Sequence, residues 1–365
     1  MNSSNTVNNS FIPFSDFEAN ARFIAYAVLL AFTVIGNIIV IESFIVVRTL
    51  RTPFNIFLLN LATVDLFTGI FRMGFYLFNI AYAKGFEWPF SPALCNFSGW
   101  ALSIAFSANV HTLELMAIFR YIAVVHNNTY NLTQKRAVIS IVCIWIYSNI
   151  IALLPIIGWN RYRYQANEIA CLPDWYYESS YPLFVTICDV IIPLTILFYC
   201  YVAIYITMKK TSRRFRDVSN QGMDIALQQI SKREARVTRA MFLVFVAFLI
   251  CIVPYAVCVF ILFSIFHIWV GRDMAFLTGY FVNLNSAINP ILYGFLYCRF
   301  RKAYYYTACL WWRKLSSIYT TLSSLHHRHN KVRLVKDCDG DFNRSRGTEI
   351  ISMNHHDQAI IQEVD

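Results

Sequence analysis

Seven long apolar stretches, separated by shorter polar segments, dominate the sequence. They run over Phe23–Val47, Asn55–Ile80, Ala93–Val124, Ala137–Ile157, Tyr181–Met208, Arg239–Phe266 and Met274–Leu296. An α-helix needs about 20 apolar residues to cross the hydrocarbon core of a bilayer, whereas a strand of a membrane barrel needs only about 10. The pattern therefore predicts an all-α bundle of seven transmembrane helices, preceded by an N-terminal segment over residues 1–22.

The basic residues of the loops predict how the bundle is oriented. The loops after the first, third and fifth stretches hold thirteen Lys and Arg when Arg239 at the edge of the sixth stretch is included, and those after the second, fourth and sixth hold four. Lys and Arg concentrate on the cytoplasmic flanks of membrane helices. The N-terminus is therefore predicted outside and the C-terminus inside. The transmembrane domain would cover residues 23–310, and the polar residues 311–365 predict a disordered cytoplasmic tail.

Composition excludes several classes of protein. Hydrophobic residues make up 57% of the chain and charged residues 14%, whereas soluble domains are about 25% charged. A soluble enzyme is therefore excluded, and five of the eight histidines lie in the tail, away from any membrane-embedded catalytic cluster. The net charge of +10 belongs to membrane flanks and does not indicate a nucleic-acid partner. A multi-span transporter or channel stays as the alternative, although the sequence shows no internal repeat.

Polar residues inside the apolar stretches mark candidate sites, because such residues usually face the interior of a bundle. Asp65, Arg72 and Tyr76 are spaced to share one helical face. Asp65 with the polar residues near Asn289 fits either a small-cation site or a water-bridged network. Arg72 and Asp189, the charges placed highest in the bundle, would bind ligand groups or pair with each other or with backbone. Three further residues are pocket walls or ordinary packing residues: Ser103, Phe106 and Tyr255.

Other residues suggest local chemistry at the two membrane faces. Cys95 and Cys171 lie on the oxidising outer side, where a disulfide would hold the second outer loop over a pocket.

Arg120 at the inner face either snorkels to the interface or pairs with Glu234. His111 and Glu114 share one face of the third stretch, and we expect them to pair structurally with the fourth or fifth stretch and not to hold a metal. Two outer residues, Asn2 and Asn8, begin glycosylation sequons, and Cys309 is a candidate for palmitoylation.

An ordered set of motifs across the chain resembles the rhodopsin-like (class A) G-protein-coupled receptors. The motifs are Gly36-Asn37, Asn60-Leu-Ala-Thr-Val-Asp65, Trp88-Pro-Phe90, Cys95, Arg120-Tyr121, Trp145, Cys171, Pro193, Tyr201, Phe248, Pro254 and Asn289-Pro290-Ile-Leu-Tyr293. The resemblance covers Phe23 to Leu310 and implies a short amphipathic eighth helix over Arg299–Leu310. It further implies a multi-pass plasma-membrane receptor, not an enzyme, that transmits the signal of an extracellular small-molecule or peptide ligand to a heterotrimeric G protein. Arrestin, a receptor kinase and membrane lipid would be its other partners.

The resemblance also implies roles for individual residues. The residues that resemble the sodium pocket are Asp65, Asn109, Asn285, Ser286 and Asn289, and an allosteric sodium ion is the only cofactor implied. Those that resemble the G-protein switch are Arg120, Tyr121, Tyr201, Glu234, Pro254, Pro290 and Tyr293. Those expected at the ligand are Arg72, Tyr76, Ser103, Phe106, Asp189, Tyr255 and Asn283.

Four residues depart from the patterns of the family. Phe119 replaces the acid that usually precedes the arginine, which predicts raised agonist-independent signalling. Ile252 stands where the family usually has a tryptophan toggle. Leu102 replaces the aspartate of amine receptors, and Asn283 stands where opsins carry the retinal lysine, so a monoamine and a retinal Schiff base are both disfavoured. Local likenesses to melatonin, opsin and adenosine receptors conflict, and the subfamily stays open.

Overall fold

The computed structural model describes residues 13–126, 132–174, 177–219, 225–258 and 271–324, and their side chains except at 212–234, 318 and 320–324. Asn2 and Asn8, the outer end of the sixth predicted span and the tail beyond residue 324 lie outside these ranges. Within them the apolar stretches fold as helices in the predicted order. Six of these spans are long and apolar enough to cross a membrane, and α9 completes the bundle between α1 and α8.

The helices have the following bounds. They are α1 (Asp16–Val46), α2 (Pro53–Thr68), α3 (Gly74–Ala83), α4 (Pro92–Val125), α5 (Gln134–Leu153), α6 (Ser180–Thr186), α7 (Ile192–Ser219), α8 (Ile225–Ala256), α9 (Arg272–Leu296) and α10 (Cys298–Ser324). A 3-10 turn, Arg48–Leu50, follows α1. Two π-helical turns join helices into continuous spans: Gly69–Met73 joins α2 to α3, and Ile187–Ile191 joins α6 to α7.

Capping residues explain where the helices begin. The Ser15 hydroxyl accepts a hydrogen bond from the Glu18 backbone N–H, and the Glu18 carboxylate accepts one from the Ser15 N–H. This capping box satisfies donors that would otherwise be orphaned, and it starts α1 ahead of the predicted Phe23. Thr52 and Ser91 cap α2 and α4, each followed by a proline at the first helical position, where proline is tolerated best.

A β-hairpin that the sequence did not predict covers the outer end of the bundle. Its strands are β1 (Tyr162–Gln165) and β2 (Ala170–Pro173), paired antiparallel with Tyr164 opposite Cys171. A disulfide joins Cys171 to Cys95 in the first turn of α4, as predicted. The Tyr162 hydroxyl donates to the Ala152 carbonyl at 2.8 Å. The hairpin is therefore fixed to both α4 and α5.

The helices bury one set of apolar side chains and expose another. One large buried cluster includes Val110, Phe119, Tyr201, Phe248 and Tyr293 and fills the inner half. Large apolar side chains also lie exposed around the outside of the helices, among them Phe32, Ile146, Phe198, Ile250 and Phe295. Apolar side chains gain nothing by burial when the surrounding solvent is lipid, so this exposed belt is what a membrane bundle requires.

The last helix is longer than predicted. α10 runs from Cys298 to Ser324 and not from Arg299 to Leu310, so the predicted disordered tail is wrong for residues 311–324. Its apolar residues Trp312, Leu315 and Tyr319 recur at steps of three and four, which continues one helical face. The helix packs along α1, where the Ser43 and Thr307 hydroxyls lie 2.9 Å apart and the Trp311 indole N–H donates to the Glu42 carboxylate.

Candidate ligand site

A cavity of about 240 Å³ lies between the helices below the hairpin. Six of the seven residues predicted at the ligand line it: Arg72, Ser103, Phe106, Asp189, Tyr255 and Asn283. The seventh, Tyr76, is not among the residues that line this cavity. Its ring stacks on Tyr26 with 3.7 Å between the centroids. Tyr76 therefore packs α3 against α1 behind the wall, which corrects the prediction.

Arg72 enters the cavity from the π-helical turn Gly69–Met73 and has a partner in the hairpin. Its Nη2 donates to the backbone carbonyl of Glu168 at 3.3 Å and lies 3.9 Å from the Glu168 Oε2. Glu168 lies in the turn between β1 and β2, and its side chain is only 11% exposed. Burial raises the pKa of the Glu168 carboxyl to about 7, although the Arg72 guanidinium opposes the rise. The charge of this pair therefore changes near neutral pH.

Asp189 enters from the other π-helical turn, Ile187–Ile191, and is held by two different helices. Its Oδ1 accepts a hydrogen bond from the Tyr147 hydroxyl at 2.8 Å and lies 3.1 Å from His111 Nε2. His111 Nδ1 lies 2.7 Å from Glu114 Oε2, so the imidazole bridges two carboxylates. The structural pairing predicted with the fourth or fifth stretch is found for His111, which contacts Asp189 of the fifth. The alternative in which Arg72 pairs with Asp189 is wrong.

Both charged side chains of the cavity wall thus belong to π-helical turns. A π-turn widens the helix by replacing i→i+4 with i→i+5 hydrogen bonds, and such turns occur frequently at functional sites. Arg72 and Asp189 are 8% and 1% exposed, and each keeps its partner inside the protein. The arrangement offers one cationic and one anionic group to a molecule in the cavity, with both groups held in fixed positions.

Neutral polar residues complete the wall. The Ser103 hydroxyl donates to the Gly99 carbonyl at 2.9 Å, and its oxygen lies 3.1 Å from the Tyr162 hydroxyl oxygen. The Asn283 amide donates to the Gly279 carbonyl at 2.6 Å and lies 3.4 Å from the Tyr26 hydroxyl. These bonds connect the wall to the hairpin and to α1.

The predicted sodium-pocket residues lie together below the cavity. Asp65 is fully buried, and its two carboxylate oxygens accept from the Asn289 amide at 2.8 Å and from the Asn109 amide at 3.3 Å. Asn109, Asn285 and Ser286 also line the cavity floor. The Asn109 Oδ1 is buried and accepts no hydrogen bond from the protein. A carboxylate beside neutral oxygens suits a hard cation.

At the inner end of the bundle, Arg120 is almost fully buried. Its Nε donates to the Thr238 hydroxyl at 2.7 Å, and its guanidinium lies 5.6 Å from the centre of the Phe54 ring. Thr238 belongs to α8, so this bond joins α4 to α8. The side chain of Glu234 lies outside the described residues, and its pairing with Arg120 stays a prediction.

The other predicted switch residues lie around the same inner half. Tyr121 and Tyr199 have their hydroxyls 3.5 Å apart, and the Tyr201 ring stacks on Phe245 at 5.1 Å. Tyr293 is fully buried and packs near Phe300.

Two prolines interrupt the helical ladders beside these tyrosines. Pro254 lies inside α8 and Pro290 inside α9, where proline removes a backbone hydrogen bond. The Ser286 carbonyl, four residues before Pro290, accepts instead from the Asn37 amide at 3.0 Å. The Pro290 carbonyl accepts from the Tyr304 hydroxyl at 3.1 Å. Cys309, predicted to carry a palmitate, lies half-buried on α10, and its modification stays a prediction.

Sequence reasoning missed the residues that hold the two charges in place. Glu168 and Tyr147 are single residues with no motif around them, and only the hairpin and the packing of α5 bring them to the cavity. Leu172 and Pro173, which close its outer end, depend on the same hairpin. Within the described part of the chain, no three His, Cys, Asp or Glu side chains are placed to hold a metal ion.

Comparison with known proteins places this bundle in a family. Residues 36–293 match the profile of the 7 transmembrane receptor (rhodopsin family). The chain belongs to the rhodopsin family of seven-transmembrane receptors. A rhodopsin of Leucoraja erinaceus is 30% identical over 305 residues, which cover 80% of this chain and 81% of that protein. Opsin-3 of Mus musculus is 28% identical over 278 residues, which cover 75% of this chain and 67% of that protein.

The crystal structure of squid rhodopsin has the same fold. It superposes with a TM-score of 0.69 at 23% identity and covers 80% of this chain and 81% of that one. This receptor is therefore a multi-span membrane protein of the G-protein-coupled class, and the alternative of a transporter or channel is not favoured. Proteins of the family are receptors and not enzymes, and they act through an extracellular signal and a G protein.

Proposed function

We propose that this receptor acts at the plasma membrane and binds a diffusible small molecule or peptide, noncovalently, in the cavity below the hairpin. The observation that carries the proposal is the pair of opposite charges, Arg72 and Asp189, that the two π-helical turns present to this cavity. The side chain of Asn283 is an amide and has no amine that could form a Schiff base, so the proposal includes no covalent link to retinal. The ligand is recognised instead by ionic groups, hydrogen bonds and apolar contact with residues such as Phe106 and Tyr255.

In the proposed mechanism, ligand contacts shift a balance between two arrangements of the bundle. A group on the ligand that binds Arg72 competes with Glu168 and loosens the hairpin from α3. A group that binds Asp189 competes with His111 and Tyr147 and alters how α4 and α5 meet the π-turn before α7. Either contact changes the packing of the inner half, where Tyr201 and Tyr293 lie.

At the inner face, activation requires α8 to separate from α4. The Arg120–Thr238 hydrogen bond opposes that separation, and Glu234 adds to the restraint in this proposal. When the bond breaks, Arg120 becomes available to the G protein, and the tyrosines of the inner half take up the space. Pro254 and Pro290 weaken the helices locally and so provide the points at which they bend.

The resting arrangement is stabilised by a sodium ion in this proposal. Asp65, Asn109, Asn285, Ser286 and Asn289 would hold it, and the buried oxygen of Asn109 without a donor fits such an ion. A positive charge there compensates the Asp65 carboxylate, whose burial without a counter-charge is costly. After activation, a receptor kinase and arrestin would act at the inner face, at Thr211–Ser219 and Ser316–Ser324, while α10 contacts membrane lipid.

Nucleotide exchange on heterotrimeric G proteins tests the proposal directly. Purified receptor in lipid nanodiscs is mixed with a panel of heterotrimers, and the binding of a fluorescent GTP analogue is followed over time. We expect at least one heterotrimer to exchange nucleotide faster with the receptor than without it, and we expect Arg120→Ala to remove the acceleration. If no heterotrimer responds, either to the wild type or to a variant with a weakened Arg120 restraint, the proposed function is wrong.

A further inference from the structure

The ligand cavity extends deeper into the bundle than the level of Arg72 and Asp189. Its outer wall includes Leu172 and Pro173 of the hairpin, and its floor includes Asn109, Asn285 and Ser286. The same continuous space therefore reaches from the hairpin to the residues around Asp65.

Ile252 and Phe248, both on α8, line this cavity together with the floor residues. Ile252 is 7% exposed, and a tryptophan in its place would add a bulky indole to the wall. Such an indole would fill part of the cavity and obstruct the way to the floor.

The floor favours a hydrogen-bond donor with positive charge. The Asn109 amide nitrogen donates to Asp65 Oδ1 at 3.3 Å, whereas the Asn109 Oδ1 has no donor although the residue is only 8% exposed. A buried acceptor without a partner is costly, and the neighbouring carboxylate adds a negative charge. A cationic nitrogen satisfies both the oxygen and the charge.

We propose that the receptor takes an elongated organic cation, whose charged nitrogen binds at the floor beside Asn109 and Asp65. Its other end carries a hydrogen-bond acceptor that faces Arg72. Asp65 and Arg72 are seven residues apart on one continuous span, which corresponds to about 10 Å along a helix. This proposal rests on the proposed function, in which the same residues hold a sodium ion in the resting receptor, so the ligand nitrogen would replace that ion at the floor. It adds the depth, length and charge of the molecule that fills the cavity.

Charged thiol reagents test the continuity of the cavity without a known ligand. Ser286→Cys places a thiol at the floor and Ser103→Cys places one higher up. Intact cells are exposed to 2-(trimethylammonio)ethyl methanethiosulfonate or to its anionic analogue, 2-sulfonatoethyl methanethiosulfonate. Both are permanently charged, and neither crosses the bilayer. The thiolate displaces methanesulfinate and forms a mixed disulfide, which mass spectrometry of the purified receptor measures against the parent chain with its native cysteines only.

We expect the cationic reagent to modify Ser286→Cys at least ten times faster than the anionic one, and Asp65→Asn to remove this preference. Adding Ile252→Trp should slow the labelling of Ser286→Cys at least tenfold but leave Ser103→Cys unchanged. Asn285→Cys, at the same floor, repeats the measurement if Ser286→Cys does not reach the cell surface.

Three results would overturn the inference. These are floor cysteines that do not react, equal rates for the two reagents, and labelling that Ile252→Trp leaves unchanged or slows equally at Ser103→Cys. Labelling requires no G protein, so its outcome is independent of nucleotide exchange. A receptor that labels as expected and activates no heterotrimer would contradict only the proposed function, and the reverse result would contradict only this inference.

Discussion

At the scale of single residues, the interior shows how buried polar side chains, which cost free energy in a membrane, are stabilised by hydrogen bonds to neighbouring helices. Asn60 joins three helices, because its amide donates to the Thr112 hydroxyl at 2.7 Å and its carbonyl accepts from the Trp145 indole at 2.9 Å. At another level, His111 joins α4 to the π-turn before α7 through Asp189, which also accepts from Tyr147 of α5. A polar side chain in such a position specifies which helices must meet, and its loss affects every helix that it joins.

The Arg120–Thr238 bond gives a prediction at this scale. Thr238→Val keeps the shape of the side chain and removes the hydroxyl that accepts from Arg120 Nε. A hydrogen bond to a charged group contributes about 1.5–3 kcal/mol, and Arg120 keeps other contacts. We therefore expect agonist-independent nucleotide exchange to rise a few-fold, up to about tenfold.

Thr238→Ser is the matched control, because it retains the hydroxyl and loses only a methyl group. It should behave as the wild type in the same exchange assay at equal receptor concentration. If Thr238→Val and Thr238→Ser give the same basal rate, the bond does not restrain the receptor.

At the scale of helices and strands, the sequence correctly predicted those elements that depend only on the average hydropathy of a stretch. The order of the seven spans and the inner ends of most of them follow from runs of apolar residues. The hairpin could not be predicted, because its pairing depends on the Cys95–Cys171 disulfide and on Tyr162 packing against α4. The π-turns also leave no apolar pattern of their own, so the sequence identified Arg72 and Asp189 but not their partners Glu168 and Tyr147.

The contact between Gly99 and Tyr162 gives a prediction at the scale of the hairpin. A Cβ added at Gly99 would lie 2.5 Å from the Tyr162 Cγ and 3.0 Å from its Cβ. The Tyr162 Cβ is fixed by the backbone of β1, and the hydrogen bond from the Tyr162 hydroxyl to the Ala152 carbonyl opposes rotation of the ring. We expect Gly99→Ala to displace the hairpin from α4, to lower the melting temperature by several degrees and to reduce surface expression.

Gly279→Ala is the control for that experiment. It makes the same change in another buried helix, but the nearest atoms to its added Cβ are 3.8 Å away, which is ordinary contact. Its melting temperature should stay within about a degree of the wild type. Equal losses in the two variants would mean that the close approach of Tyr162 is unimportant.

At the scale of the whole molecule, the positions of the charged, apolar and buried polar residues explain more of the architecture than their numbers do. The basic residues lie mainly on one side of the bundle, the large apolar side chains form a belt around it, and the buried polar residues form a column from Arg72 through Asp65 towards Arg120. The first two features can be counted in the sequence. The column requires the rotation of each helix, which for the outer halves depends on the π-turns.

Because Glu168 links the hairpin to the helices, its titration affects the stability of the entire receptor. Its pKa is about 7 in the folded protein and near 4.5 without burial. The folded state therefore binds more protons between these values, and stability falls as the pH rises from about 4.5 to 7. We expect the detergent-solubilised receptor to melt several degrees higher at pH 5.5 than at pH 8.

Glu168→Gln removes the titrating group and keeps the size of the side chain. The difference between the melting temperatures at the two pH values should shrink clearly in this variant. Thermal unfolding is followed by a method that uses no thiol-reactive dye. An unchanged difference would assign the pH dependence to other groups and would show that the Arg72–Glu168 pair does not titrate in this range.

The two π-turns have a consequence for how receptors of this type diverge. Each turn holds one residue more than an α-turn, because its hydrogen bonds join residues i and i+5 instead of i and i+4. Deleting one residue from Gly69–Met73 or Ile187–Ile191 would therefore restore an α-turn and leave the two flanking halves of the span in register. Only the widened turn would be lost, and with it the placement of Arg72 or Asp189 at the cavity. Ligand preference can therefore change here through a single-codon deletion, with no substitution in the machinery that meets the G protein.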